Sequence, residues 1–434
     1  MPFELGATAP KKIAVIGAGI SGMGAAYMLA DTNQVTLFEA EPRLGGHART
    51  VIAGKNGDQP VDTGFIVFNY ANYPHLAALF EELDVPVVKS RMSWGTSIDG
   101  GKLEYAFNSL DALFAQRRNA LNPSFLRMVR DIFRFNAKGL ELARSNPDLT
   151  IGQFLTKLGT GEWFRDYYLL PFSGAIWSTP TDKIMDFPAY AMMRFFENHA
   201  LLDTTGQHQW YTVQNGSREY VSRLEVAMVG RGVEMRLGAA VQAVRRTGAG
   251  AQVKLWGGDW ETFDEIVLAT HSDDSLRLLS DASPEEQRAL GAIAYQPNEV
   301  VLHADAGLMP KSRKVWASWV YTEDENKRSD QIDLTYWMNS LQPIPSDDPH
   351  FVTLNSKRTI REELIYDQTT FRHPVYDLGA LAAQDEVKTF NGSNHTWFCG
   401  AWMKNGFHED GLASAVDVVD GIMRAGALDV VAAE

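Results

Sequence analysis

Between residues 12 and 39 the spacing of apolar positions changes twice. Ile13, Ala14, Val15 and Ile16 form an unbroken apolar run, which predicts a parallel strand buried on both faces. Gly17, Gly19 and Gly22 come next and lead into a helix predicted to start near Ile20. A second strand follows in Val-Thr-Leu-Phe and ends on Glu39, 22 residues beyond Gly17. Strand, glycine turn, helix, strand and acid, in that order, suit a dinucleotide. The helix N-terminus presents free N–H groups to a pyrophosphate, Gly22 lets the helix lie close to the sheet, and Glu39 can accept hydrogen bonds from a ribose.

A second strand-rich block runs from about Val233 to Leu279, with Val241–Val244, Ala251–Trp256, a Gly-Gly-Asp turn and a strand from Glu265. A third segment, Trp397–Trp402 followed by His408–Ala415, reads as strand, loop and helix. Between these blocks, Asn122 and Pro123 predict the cap and first turn of a helix. Along that helix Arg127, Arg130, Arg134 and Lys138 recur at helical spacing beside Leu126, Val129, Phe133 and Leu140. Such a helix either rests on an anionic membrane or lies on a core with its arginines in water. From Trp163 to Phe196 aromatic and methionine residues crowd together, as core or as the wall of an apolar tunnel. Glu323–Asp330 and Ser346–His350 read as exposed loops.

Length and composition narrow the class. With 434 residues, two domains are expected, and 45% apolar residues is ordinary for a globular protein. No apolar run approaches the length of a membrane span. The formal charge of −14 argues against general nucleic-acid binding. The single cysteine, Cys399, fits a reducing compartment. Met1–Gly6 shows no basic region followed by an apolar one, so a cytoplasmic location is expected, with a peripheral place on the inner face of the membrane if the basic helix docks there. No metal is expected.

Arg43-Leu44-Gly45-Gly46-His47-Ala48-Arg49-Thr50 and Asp62-Thr63-Gly64 follow the acidic strand. Paired glycines there would let the backbone approach a flavin, which favours FAD over NAD. Here the chain resembles the flavin amine-oxidase superfamily, with His47 in place of a common arginine. The resemblance implies an α/β fold, in which a Rossmann-like FAD-binding domain (1–89, 211–290, 389–434) is interleaved with an α+β substrate domain (90–210, 291–388). By matching positions it assigns cofactor contacts to Gly17, Gly19, Ile20, Ser21, Gly22, Glu39 and Ala40. Further contacts fall to Arg43, Gly45, Gly46, His47, Thr63, Gly64 and Phe65, and to the backbone of Val241. At the C-terminal end they fall to Gly400, Ala401, Asp410, Gly411 and Leu412. Ala401 stands where the family usually has an acid.

Longer blocks, among them Val61–Asn69, Tyr168–Pro180, Tyr336–Asn339 and Gly406–Gly411, resemble a bacterial branch associated with methyltransferases of the cyclopropane-fatty-acyl-synthase type. That resemblance implies desaturation of an unsaturated fatty-acyl or phospholipid chain, at the inner-membrane surface, with a SAM-dependent lipid methyltransferase as partner. Amine oxidases usually carry a lysine near the flavin, but Tyr295–His303 has none. Loss of an allylic hydride calls for a base beside an apolar tunnel, and His408 and Glu409 are the candidates, with helix capping and flavin contact as their alternative roles. Amine or amino-acid oxidation, and a non-catalytic flavoprotein that presents lipid to a methyltransferase, are the competing readings.

Overall fold

The computed structural model describes residues 9–177, 184–202, 208–323 and 333–433. Met1–Gly6, the end of the 168–180 block and nearly all of the 323–330 loop therefore lie outside the described residues.

Five parallel strands form the first sheet, in the order Glu234–Arg236, Gln34–Phe38, Lys12–Ile16, Glu265–Leu268, Thr396–Phe398. Lys12–Ile16 is central because its apolar run can be covered on both faces. The helix Ile20–Leu29 is buried on nearly every side and packs against the helix His408–Ala433. A helix that is apolar all round needs such a double covering. The chain turns back on itself beside Lys12–Ile16, so a crevice opens past the carboxyl ends of these strands.

The strand-rich block 233–279 divides. Only its first and last strands join the parallel sheet. Val241–Thr247, Gly250–Leu255 and Trp260–Phe263 form a separate antiparallel sheet.

A second layer is built on seven strands, in the order Ile365–Val375, Ala294–His303, Phe351–Leu354, Leu334–Trp337, Trp319–Thr322, Trp94–Ile98, Leu103–Ala106. Neighbours are antiparallel except Trp319–Thr322 with Trp94–Ile98, which is how a distant part of the sequence enters this sheet. Residues of this sheet share one apolar core with the helices Pro123–Arg144, Ile151–Leu158, Leu170–Trp177 and Ala189–Asn198. Asn122 caps the first of these, its side chain accepting from the amides of Ser124 (3.0 Å) and Phe125 (3.4 Å). A π-helical turn at Arg165–Leu169 interrupts the next helical stretch, and the Tyr167 carbonyl accepts from the Tyr105 hydroxyl. No described helix is long and apolar enough to cross a membrane.

Asp62 ties the layers together. Its buried carboxylate accepts from Thr50 Oγ1 (2.6 Å), Ser217 N (2.8 Å), Ser217 Oγ (2.7 Å) and Gln342 Nε2 (2.9 Å). Burial pushes its pKa up to about 6 despite these four donors. Asp62→Ala leaves the donors without an acceptor and is expected to cost about 3 kcal/mol or more. Asp62→Asn, which keeps an acceptor oxygen, should cost less. Urea unfolding midpoints of the two variants check the order, and equal midpoints would refute it.

Candidate active site

Gly17 turns the chain at the end of the central strand with φ +100°, and a side chain there would stand 2.8 Å from the Ala269 carbonyl oxygen. Glu39 closes over this turn. Its Oε2 accepts from the Ala18 amide (2.7 Å) and its Oε1 from the Glu41 amide (2.9 Å), which leaves lone pairs on both oxygens for ribose hydroxyls. Helix Ile20–Leu29 begins at Gly19 with no side-chain cap and no acid in its first turn. Its N-terminus is therefore open to an anion. Gly19 bridges to Gly45, and a Cβ on Gly46 would lie 3.0 Å from Gly19 Cα.

A cavity of about 1390 Å³ begins at this turn and continues to the second sheet. Cavities that hold one small ligand measure about 300–1,000 Å³, so a dinucleotide leaves room here for a second molecule. Of the residues singled out in the sequence, Gly17, Gly19, Ile20, Ser21, Glu39, Arg43, Gly45, Gly46, His47, Thr63, Gly64, Phe65, Gly400, Ala401 and His408 line it. The bare glycine turn, the uncapped helix and the acid together fit a dinucleotide. We assign the pyrophosphate to the first-turn amides and the ribose to Glu39.

Other expected contacts lie behind the wall. A Cβ on Gly22 would stand 1.7 Å from the Gly17 carbonyl oxygen, so this glycine serves helix-to-turn packing. Gly411 and Leu412 pack against the Ile20–Leu29 helix, at Ser21 and Gly24. Asp410 accepts from the Phe407 amide (2.9 Å) at its own helix start, and burial raises its pKa to about 6. Ala40 is exposed between the two glutamates, and Val241 pairs with Leu255 next to that turn, outside the cavity lining.

Glu409 requires a correction. Both of its oxygens accept backbone amides, from His75 and Leu76 at 2.9 Å each, at the N-terminus of the helix Pro74–Glu82. A carboxylate so placed caps a helix and does not face the cavity. His408 does face it, with Nε2 2.6 Å from the Tyr220 hydroxyl and its ring stacked 4.0 Å from Phe65. Burial lowers its pKa to about 3, so the imidazole is neutral.

Two histidines that the sequence reading passed over complete this end of the cavity. His47, at whose position the family's arginine is replaced, lies 5.7 Å from the rings of both His271 and His373. Asn298, in the strand that lacks the lysine, is fully buried and accepts from Asn355 at 2.7 Å. Its amide nitrogen then donates to His373 Nδ1 at 2.8 Å, which puts the proton of the neutral ring on Nε2. Burial, with His271 nearby, lowers the His373 pKa to about 4. The strand from Ala294 to His303 pairs with Ile365–Val375, and that pairing brings Asn298 to His373. Ligand atoms of His271, Asp273 and Asp274 converge within 4.8 Å. Arg372 pairs with both carboxylates and Arg277 with Asp274, so the charge a cation would need is already neutralised.

Farther from the glycine turn the cavity becomes a chamber walled by Trp94, Leu113, Ile132, Tyr168, Phe172, Ile176, Phe195, Trp319 and Tyr336, among others. Tyr168, Phe172 and Ile176 share one helical face, so part of the aromatic block is chamber wall. Much of the rest, including Phe164, Met193 and Phe196, is core. The charged lining residues are Glu39, Glu41, Arg43, Arg49, Asp274 and Arg372. Each of the three arginines pairs with a carboxylate: Arg43 with Glu41, Arg49 with Asp367, and Arg372 with Asp273 and Asp274.

A parallel sheet with a dinucleotide crevice, opening onto an apolar chamber, defines an α/β cofactor-dependent oxidoreductase. Residues 20–305 match the family model described as flavin containing amine oxidoreductase, and the chain belongs to that family, with FAD as its cofactor. Among curated relatives, an L-amino acid oxidase, Lm29 of Lachesis muta, is 49% identical over 49 residues, 11% of this chain and 10% of that protein. The chain thus matches about a tenth of the length of such relatives. Cyclohexylamine oxidase from Brevibacterium oxydans IH-35A has a similar fold, with TM-score 0.68 and 14% identity over 95% of this chain and 100% of that one. A fatty acid isomerase from P. acnes that produces CLA has TM-score 0.66 and 14% identity over 95% and 98% of the two chains.

Gly19→Val, at a position where the backbone is extended and a Cβ meets no atom within 4 Å, is expected to give a folded but colourless protein; normal flavin absorbance after purification would refute the assignment. The His373 pKa also carries a sign. The unfolded chain takes up a proton near pH 6.5 and the folded chain only near about 4. Stability from this group is therefore complete above pH 6.5 and is lost as the pH falls towards 4. His373→Gln should flatten unfolding free energy against pH in that window by up to about 1.4 kcal/mol per pH unit. An unchanged slope would contradict the buried neutral ring.

Proposed function

We propose that this FAD-dependent oxidoreductase removes a hydride from an allylic position of an unsaturated fatty-acyl chain, most simply that of a membrane phospholipid. One observation carries the reading. Among the described residues, every charged side chain lining the cavity lies on its cofactor side or is paired there, and the chamber wall is neutral. An ammonium or a carboxylate brought into that chamber would lose its hydration and find no opposite charge, which costs several kcal/mol. A hydrocarbon chain loses nothing and gains the burial of its methylenes.

The chemistry also suits these residues. Bound FAD would supply the acceptor for a hydride, that is, for one proton together with its two electrons. The chain that has lost a hydride is an allylic cation, and a proton on the adjoining carbon is then strongly acidic. A base as weak as His408 is adequate for that proton, although it could not deprotonate the neutral hydrocarbon. Burial keeps the Tyr220 phenol protonated, well above its ordinary pKa. When His408 donates from Nε2 to the phenol oxygen, Nδ1 keeps a lone pair for the departing proton. The electrons of the second C–H bond become the new double bond, and the product is lighter by two hydrogens. His373 presents Nε2–H on the cofactor side, where amine oxidases carry a lysine. Tyr168, Phe172 and Ile176 orient the chain and exclude water.

The fold shared with the fatty acid isomerase is consistent with an acyl substrate, and the local match to L-amino acid oxidase supports flavin redox chemistry in general. In the test, the yellow protein is mixed anaerobically with unsaturated phospholipids and, separately, with amines and amino acids. Flavin bleaching by lipid alone, with a product two hydrogens lighter, is expected. Bleaching by amines alone would overturn the reading, and a lipid product of unchanged mass would make the enzyme a double-bond isomerase. His408→Phe should retain FAD and slow formation of the product two hydrogens lighter about a hundredfold or more; an unaltered rate of product formation would remove His408 from the mechanism.

A further inference from the structure

We propose that the mouth of the chamber docks on an anionic phospholipid bilayer. The proposal rests on the acyl reading for its purpose and on the surface for its evidence. Phe107, Leu110 and Phe133 line the cavity and are also exposed, Leu110 at 77% and Phe133 at 57%, so they mark the opening. Leu121 at 86% and Leu126 at 44% extend this apolar rim. Of the 14 exposed large apolar residues among the described ones, these 5 fall between residues 107 and 133.

The helix Pro123–Arg144 decides between the two readings of its sequence. Phe125, Met128, Ile132 and Phe135 face the core. Leu126 and Phe133 are a second apolar set, two turns apart on the solvent side, with Arg130 between them and Arg127, Arg134 and Lys138 exposed beside them. A helix that only covered a core would not need that second set. Residues 107–144 carry 7 Lys and Arg against 3 Asp and Glu, in a chain whose formal charge is −14. One of the three acids, Asp131, is buried; it accepts from the Gly161 amide and pairs with Arg130 at 3.0 Å and Arg127 at 3.7 Å, so Arg134 and Lys138 carry the excess positive charge of this helix face. Exposed leucine and phenylalanine, ringed by arginine at the entrance of a neutral chamber, complement acyl chains beneath a layer of anionic headgroups. A lipid tail could pass between Leu110 and Phe133 without crossing water.

The test uses the full flavin-loaded chain, sedimented with vesicles of phosphatidylcholine alone or of equal parts phosphatidylcholine and phosphatidylglycerol. Binding to the anionic vesicles should be at least about tenfold stronger and should weaken with salt. Leu121→Glu with Leu126→Glu, neither of which lines the cavity, should reduce partitioning about tenfold and leave turnover of detergent-dispersed lipid unchanged. Equal binding to both vesicles, no binding, or a double variant that binds as well as wild type would overturn the proposal. Loss of a dimer in the double variant would assign the face to a second copy and would overturn it as well. Vesicle binding without flavin bleaching by any lipid would keep the docking face and refute the acyl reading instead.

Discussion

The architecture depends on three stretches of backbone meeting with almost no side chains between them. The Gly17–Gly19 turn, the Gly45–Gly46 loop and the Thr63–Gly64 segment converge at the end of the central strand. A Cβ on Gly64 would stand 1.9 Å from the His47 carbonyl oxygen. That closeness leaves amides and carbonyls as the lining where a diphosphate is to lie. It also brings His47 against Phe371 and His373 of the far sheet and against His271, which follows the Glu265–Leu268 strand. The cofactor crevice and the substrate chamber are thus one cavity, joined through a cluster of neutral imidazoles.

Neutrality then governs the chemistry. The pKa values of His47, His271, His373 and His408 are all lowered, with burial as the main cause, and His47 is pushed further by the other three. Burial raises the pKa values of Tyr168 and Tyr336 on the chamber wall well above the ordinary phenol value, so the phenols keep their protons. Of the charges that line the cavity, the three arginines are held in pairs with carboxylates, and Glu39 keeps its carboxylate on backbone amides. Under the proposed reaction such a site would pass on a hydride and a proton without holding a permanent ion, which suits a substrate that carries none in its reacting part.

Some of this was legible in advance, and the reasons differ from residue to residue. The dinucleotide crevice depends on local geometry: glycines in a turn, an apolar strand, an acid at a set distance. Such features survive in sequence because no distant partner is needed to define them. The cap at Asn122 was legible for the same reason. Glu409 was misjudged because its partners, the amides of His75 and Leu76, lie more than 300 residues away in the chain. Helix capping and base catalysis require the same carboxylate, and only its surroundings separate them. His373 escaped notice because its role is set by Asn298 on the neighbouring strand.

By itself the sequence determined the class: a βαβ dinucleotide unit and, by resemblance, a flavin cofactor. Periodicity and glycine spacing are properties of short segments, and they constrain the backbone wherever those segments end up. Tertiary structure alone decided which of the many aromatics line a chamber and which fill a core. It alone showed that the chamber wall carries no unpaired charge among the described residues, and that Leu126 and Phe133 face outward. Those facts depend on strand register and helix orientation, which place residues from distant parts of the chain within a few ångströms of one another.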